Sequence, residues 1–199
     1  MSQEFRHDSR CSKCKSTIYE MLYHIYGKGD HKYKPNGVFN HIEKYEATKV
    51  HKPLKKIYTA LTEYRGNKDF VKAKTLQRCD LYIPSKKYVI ELDEVQHFSY
   101  PRYITLKSYP RTMAVGFNIK RYQNTCEEMH STDNDPSYRD EQRAWYDTLR
   151  DFLPLITPDE VKLTLRIQLG FFKWCSLDPK NSKDKAVFKT LTSFMGELK

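Results

Sequence analysis

The chain has 199 residues, with 35 Lys and Arg against 25 Asp and Glu, which gives a formal net charge of +10 at pH 7. Its 14% aromatic content can fill a sizeable core, which excludes wholesale disorder, and no apolar run approaches the ~20 residues of a membrane helix. The N-terminal residues lack the apolar stretch of a secretory signal, so we expect a cytoplasmic protein without a membrane partner, and the basic excess predicts nucleic acid as the partner.

Two helices are predicted in the first third of the chain. Apolar residues at a spacing of three and four predict a helix over Ser16–Tyr26, which Gly27 would end. After a loop-rich stretch, a second helix is predicted from Pro53, a favoured first helical position, to near Gly66.

Three strands are predicted next. Alternating apolar and basic residues over Phe70–Leu76 predict a strand with one basic face. Cys79–Ile83 and Lys87–Leu92 predict a hairpin whose short turn contains a proline. Residues 98–125 are rich in Tyr and Pro and give no clear element.

The last third of the chain predicts a helix that Ser137 opens, a strand over Leu163–Leu169 and a closing helix over Ala186–Met195. This order predicts a mixed α/β fold in which a central mixed β-sheet is flanked by helices. We divide the chain into an N-terminal helical and loop region, residues 1–50, and a main domain, residues 51–199.

Two basic stretches flank a small acidic segment. Residues 52–78 hold eight Lys and Arg against two acids, and residues 98–125 hold five basic residues and no acid. Residues 79–97, between them, are net acidic. Each run alone is typical of a solvated face, but the arrangement favours an enzyme that grips phosphates on both sides of a bound cation.

The acidic segment predicts a carboxylate cluster. A four-residue hairpin turn would place Asp80 opposite Glu91, with about 5 Å between Cβ atoms, and Asp93 on the same face as Glu91. Like charges so close are unfavourable unless a cation neutralises them, and Mg²⁺ binds one or two carboxylates together with waters and phosphate oxygens. The alternative is that the acids face solvent or pair with nearby lysines and arginines.

The spacing of these acids resembles a nuclease motif. Asp80 on one strand, followed eleven positions later by Glu91-Leu-Asp93 on the other, resembles the core of the PD-(D/E)XK nuclease superfamily, the fold of many restriction endonucleases. The continuation to Gln96 and His97 resembles in particular the branch related to the very-short-patch-repair endonuclease. The resemblance implies a restriction-endonuclease-like core in the main domain, and DNA binding or dimerisation for the N-terminal region.

The resemblance also implies roles for single residues. The family's Asp on a later helix is matched by Asp140, and its upstream helix Glu most nearly by Glu63, whereas Asp93 stands at its lysine position. In one alternative Asp93 is a further metal ligand and the metal alone activates water. In the other, Gln96 or His97 replaces the lysine, and Asp140 orients His97 as a base.

Simpler roles compete with these. Ser137 and Asp140 have the spacing of a capping box, which would satisfy helix N–H groups without catalysis. A single His97 after a strand is also typical of an ordinary polar residue, and Gln96 could equally bind backbone.

Basic residues around the acids predict phosphate contacts with double-stranded DNA. They are Lys72, Lys74, Arg78, Arg102, Lys120 and Arg121. Together with the resemblance, they favour a type II restriction endonuclease that uses Mg²⁺, or Mn²⁺ as a substitute, and cuts a palindrome as a homodimer. The alternatives are a non-cleaving DNA-binding module, which the missing lysine would also fit, and a repair nickase or homing-type endonuclease.

The chain contains five cysteines, an odd number, so we expect no disulfide framework. Cys11 and Cys14 have the CxxC spacing of a metal or redox site, but a zinc site needs four ligands and no second such pair exists. His7, His24 or His31 could complete a site only if the fold happened to bring one of them there. We therefore expect two reduced thiols and no zinc at Cys11 and Cys14.

Overall fold

A computed structural model describes residues 7–193, the side chain of Ser193 excepted. The helices are α1 (Ser12–Tyr26), α2 (His51–Arg65), α3 (Tyr100–Lys107), α4 (Ile119–Met129), α5 (Arg139–Asp151), α6 (Leu153–Ile156) and α7 (Ser182–Ser193). The strands are β1 (Leu81–Ile83), β2 (Tyr88–Asp93) and β3 (Leu163–Gln168). The described residues thus form a mixed α/β fold with a three-stranded mixed sheet, as predicted for the fold class.

The sheet order is β1-β2-β3. β1 and β2 are antiparallel, and the pairs Leu81–Ile90, Tyr82–Val89 and Ile83–Tyr88 confirm the predicted hairpin register. β3 lies parallel to β2 on its other side, so the chain crosses over through α3 to α6 before it returns. β2 is therefore the central strand, and its end lies against the helices of the crossover.

The two faces of the sheet bury different cores. Leu81, Ile90 and Leu92 pack with the buried residues of α1 and α7, whereas Val89 packs with those of α2, α3 and α5. Because successive side chains of a strand point to opposite faces, Glu91 shares the face of Val89. This alternation turns the side chain of Glu91 towards α5.

The predicted strand over Phe70–Leu76 is wrong. Phe70 and Leu76 are fully buried, but the segment is irregular and pairs only at Thr75, in a single bridge to Phe39. The Asn40 side chain donates to the carbonyls of Ala73 and Thr75, at 2.9 and 3.0 Å. The alternating pattern therefore reflects a loop packed on the core, not a strand in the sheet.

Most helix positions agree with the predictions, but their ends differ. α1 begins at Ser12, because the Cys11 sulfur accepts from the backbone N–H of Cys14 at 3.1 Å and caps the first turn. α3 and α4 fill the segment that gave no clear element, with Ser99 and Asn118 as side-chain caps. The closing helix begins at Ser182, and the predicted end at Met195 lies outside the described residues. Within the described part of the chain, no helix has the length and apolar character needed to cross a membrane.

Candidate functional site

A polar cleft of about 380 Å³ lies between α1, the end of β2 and α5. Four residues proposed from the sequence as catalytic line it: Asp80, Glu91, Gln96 and His97. Five basic residues line it as well: Lys15, Arg78, Arg139, Arg143 and Arg150. The carboxylates of Glu94 and Asp147 also line it, so the cleft combines four acids with five cations.

Asp80 and Glu91 meet in this cleft. Asp80 is exposed immediately before β1, and its Oδ2 accepts from the backbone N–H of Leu92 at 2.8 Å. Glu91 is only 5% exposed, and its Oε2 lies 3.1 Å from Nε of Arg150. Glu91 Oε1 is buried and has no hydrogen-bond partner among the described residues.

A buried carboxylate oxygen without a partner is costly, so the protonation of Glu91 matters. Burial raises the pKa of Glu91 to about 8, although Arg150 opposes this and Asp80 adds to it. The neighbouring Cys79 stays a neutral thiol, since burial and Glu91 raise its pKa, and a thiol is only a weak donor. Arg150 pairs with Oε2 of Glu91, so Oε1 is the atom that a proton or a further cation would stabilise.

Asp93 does not share the cleft. Its side chain is 1% exposed, and its Oδ1 accepts from Arg166 at 2.7 Å while Oδ2 accepts from the Tyr122 hydroxyl at 2.9 Å. Arg166 is itself fully buried and also binds Asp151 at 2.7 Å. The expected convergence of three carboxylates is therefore reduced to two, because the charge of Asp93 is already matched by a buried guanidinium group.

His97 ends a short 3₁₀ turn that follows β2, and its ring is held by α5. Nδ1 lies 2.8 Å from Oδ2 of Asp147 and 3.5 Å from Oδ1 of Asp93. Burial lowers the pKa of His97, but the two carboxylates outweigh burial and raise it above its usual value. His97 is therefore a cleft residue with one ring nitrogen held by an acid.

The expectation that Asp140 orients His97 is wrong, because Asp147 has this position. Asp140 lies two turns earlier on the same face of α5, where its Oδ1 accepts from the backbone N–H of Asp133 at 3.0 Å. The predicted capping box is also wrong, since the residue before the first turn of α5 is Tyr138 and its side chain makes no capping hydrogen bond. Asp140 therefore fixes the loop that precedes α5.

Glu94 joins α1 to the end of β2. Gln96 donates to Glu94 Oε2 at 2.9 Å, and the ammonium group of Lys15 binds Glu94 Oε1. Lys15 and most cleft residues of α5 belong to no sequence motif, whereas Glu94 and Arg139 fall within segments that carry the nuclease resemblance. The polar residues of α5 recur three and four positions apart, and that spacing would have indicated a functional face.

The six residues predicted to contact DNA do not lie together in the structure. Arg78 lines the cleft. The prediction for Arg102 is wrong, because the side chain is 1% exposed and binds Asp151 at 2.5 Å and the Tyr109 hydroxyl at 2.8 Å. A guanidinium group so enclosed cannot reach a phosphate.

The other four predicted DNA contacts lie outside the cleft lining. Lys72 and Lys74 are exposed on the loop before β1, and Lys72 is paired with Asp69 at 2.6 Å. Lys120 is exposed on α4, and the guanidinium group of Arg121 lies 5.8 Å from the ring centre of Phe171. These residues could contact DNA only beyond the cleft.

A second group of side chains lies at the start of α1. The potential ligand atoms of His7, Cys11, Cys14 and Cys175 all lie within 4.8 Å of one another, so these four residues could bind a metal ion. The expectation that Cys11 and Cys14 lack further ligands is thereby overturned. The fold supplies the missing pair from a distant turn and from the segment before α1.

Comparison of the chain with protein-family models, with curated proteins and with solved structures finds no match. A mixed α/β fold does not identify a function by itself, since function depends on the chemistry of a site. Any function assigned to this chain therefore has to rest on the chemistry of the cleft and of the cysteine group.

Proposed function

We propose that the chain is a Mg²⁺-dependent endonuclease that hydrolyses phosphodiester bonds of double-stranded DNA, with Asp80 and Glu91 as the metal ligands. The observation that carries this proposal is the unpartnered, buried Oε1 of Glu91 beside Asp80, in a cleft that is otherwise rich in cations. Arg150 pairs with the other oxygen of Glu91, and a metal ion would give Oε1 the partner that the described residues do not supply.

The donor set fits magnesium. Mg²⁺ prefers oxygen ligands and keeps several waters, so one or two carboxylates in an open cleft are sufficient when a phosphate oxygen completes the shell. Asp80 is exposed and Glu91 is buried, so the pair combines access from solvent with a fixed inner ligand. When bound, the metal supplies a Lewis acid for the phosphodiester and lowers the pKa of a coordinated water.

The chain's own residues divide the remaining tasks. Arg78 and Arg143 bind phosphate oxygens along the cleft, an interaction that is strong, dependent on salt and independent of sequence. His97 accepts or returns a proton through the ring nitrogen that Asp147 does not hold, and Asp147 orients the ring. Lys15, bound to Glu94, brings an ammonium group into a cleft whose β2 motif lacks a lysine.

A non-cleaving DNA-binding module is the second candidate. Two observations favour it: Asp93 is sequestered by Arg166, and Arg150 already offers Glu91 a positive charge without a metal. Among cleaving enzymes, a type II restriction enzyme that acts as a homodimer remains our first choice, and a repair nickase or homing-type enzyme differs from it in substrate. All of these functions suit a reducing cytoplasm, where cysteines form no disulfides.

Plasmid cleavage tests the proposal. We expect the protein to nick or linearise supercoiled DNA with Mg²⁺ or Mn²⁺ and to stop when the metal is chelated. Asp80→Ala should abolish cleavage, whereas Asp159→Ala, which changes an exposed aspartate outside the cleft, should not. Sequencing the ends of the products distinguishes cleavage of both strands at one site from single-strand nicks.

Two outcomes would contradict parts of the proposal. Cleavage by Asp80→Ala at the wild-type rate would remove the assigned metal site. Wild-type protein that binds DNA and never cuts it with either metal would establish the binding module instead.

A further inference from the structure

The cysteine group at the start of α1 combines residues from both ends of the described chain. His7, Cys11 and Cys14 lie within one short segment, and Cys175 lies in the 3₁₀ turn Trp174–Ser176, against which α1 packs. The backbone N–H of His7 donates to the carbonyl of Gly170 at 2.9 Å, which holds the segment in place. The four side chains therefore converge on backbone that is already fixed.

The spacing of the ligand atoms suits a small tetrahedral ion. Zinc bonds of about 2.3 Å to sulfur and 2.0–2.1 Å to nitrogen place tetrahedral ligand atoms ~3.6–3.8 Å apart. The Cys175 sulfur lies 3.8 Å from Nε2 of His7, and none of the four atoms is more than 4.8 Å from another. An ion at the centre would need only a small contraction of the group.

The chemistry of the donors selects the metal. Three sulfurs and one imidazole nitrogen are soft or intermediate ligands, which suit zinc and do not suit Mg²⁺ or Ca²⁺. The N–H of Cys14 already points at the Cys11 sulfur at 3.1 Å, an outer contact that favours a thiolate there. Four protein ligands leave no open position, which is the pattern of a structural zinc site and not of a catalytic one.

We propose that His7, Cys11, Cys14 and Cys175 bind one Zn²⁺ in a closed structural site that fastens the segment before α1 to the turn Trp174–Ser176. The ion joins residues that are roughly 160 positions apart in sequence, so it restricts the unfolded chain over most of its length. Folding and metal binding are then linked, and removal of the ion weakens the fold. This site is independent of the nuclease proposal, since its test involves no DNA.

The metal content of the wild-type chain is the first measurement. Protein expressed with zinc and then desalted should carry about one zinc per chain by elemental mass spectrometry. Exchange for Co²⁺ should give the visible absorption of a tetrahedral site together with a sulfur-to-cobalt charge-transfer band. Both measurements use the unaltered chain, so they do not depend on whether a variant folds.

Thiol labelling identifies the ligands in the same wild-type protein. Cys11 and Cys175, which are half-buried, should resist alkylation until the zinc is chelated. The labelling of Cys79 and Cys126, which are buried elsewhere, should not respond to a chelator at concentrations that leave the protein folded. Cys175→Ala and His7→Ala should then lose most of the zinc, while Cys126→Ala and His24→Ala, changed at matched residue types outside the group, should keep it.

Several results would overturn the proposal. They are wild-type protein that loses its zinc on desalting, iron in place of zinc, a Cys11–Cys14 disulfide in freshly purified protein, and full zinc content in Cys175→Ala. A zinc signal that survives the loss of Cys175 would place the ion elsewhere in the chain.

Discussion

Nδ1 of His97 lies 2.8 Å from Oδ2 of Asp147, although the two residues are fifty positions apart in the chain. The contact joins the 3₁₀ turn after β2 to the middle of α5, and both residues line the cleft. A carboxylate in this position both fixes the ring and stabilises its charged form. The pair is therefore the part of the cleft best suited to move a proton.

This pair predicts the titration of His97. We expect its pKa to lie above the usual value, because Asp147 and Asp93 outweigh burial. The charged pair then stabilises the fold fully below the pKa of an unfolded histidine, and this stabilisation is lost as the pH rises through the folded pKa. Asp147→Asn should lower the pKa measured by NMR, and Asp159→Asn should not. An unchanged His97 pKa in Asp147→Asn would contradict the assignment.

The protonation of Glu91 should make Mg²⁺ binding depend on pH. Burial raises its pKa to about 8, so below this pH the proton must leave before a metal can bind. The stabilisation by Mg²⁺, measured as a shift in melting temperature, should therefore grow as the pH rises from 6 to 9. Glu91→Gln should remove most of the shift and its pH dependence. A shift of equal size at pH 6 and pH 9 would exclude Glu91 as a ligand.

We expect replacement of Arg102 to lower the stability of the fold and to leave DNA contacts unaffected. It is buried against Asp151, and removal of one member of a buried ion pair typically costs about 3–5 kcal/mol. Arg102→Met should lower the free energy of unfolding by an amount of this order, measured by urea titration. Lys120→Met, an exposed change, should alter it by less than about 0.5 kcal/mol. Equal stabilities of the two variants would mean that the buried network contributes little.

A phosphate contact by Arg78 should contribute to the salt dependence of DNA binding. A lysine or arginine that contacts one phosphate contributes about one unit to the slope of log K against log salt concentration. Arg78→Ala should therefore weaken binding to all duplexes alike and reduce that slope by about one, as measured by fluorescence anisotropy without divalent metal. Lys55→Ala, which removes an exposed cation of α2 outside the cleft, is the control.

The hairpin was predictable because its determinants are local. A turn of fixed length and the two-residue period of a strand set the register, and Leu81 pairs with Ile90 as expected. The same period correctly gives Glu91 and Asp93 one face, but it says nothing about what lies opposite. Arg166 arrives from β3, far along the chain, and neutralises one of the two acids.

The choice between Asp140 and Asp147 shows where sequence alone is insufficient. Seven residues are two helical turns, so both acids lie on the same face of α5, and only the depth at which β2 meets the helix distinguishes them. Cys175 poses the same difficulty, since its proximity to Cys11 depends on how the last strand and turn return to α1. Local sequence patterns thus indicate which residue types form a site. Tertiary packing decides which of several residues of the same type, such as Asp140 or Asp147, lies in it.

Lys15 directly follows Cys14, and its ammonium group binds Glu94 in the cleft. The first turn of α1 therefore contributes one residue to the cysteine group, Cys14, and one to the cleft, Lys15. The cysteine group and the ion pair of the cleft thus depend on consecutive residues of one helical turn, although no side chain is a member of both.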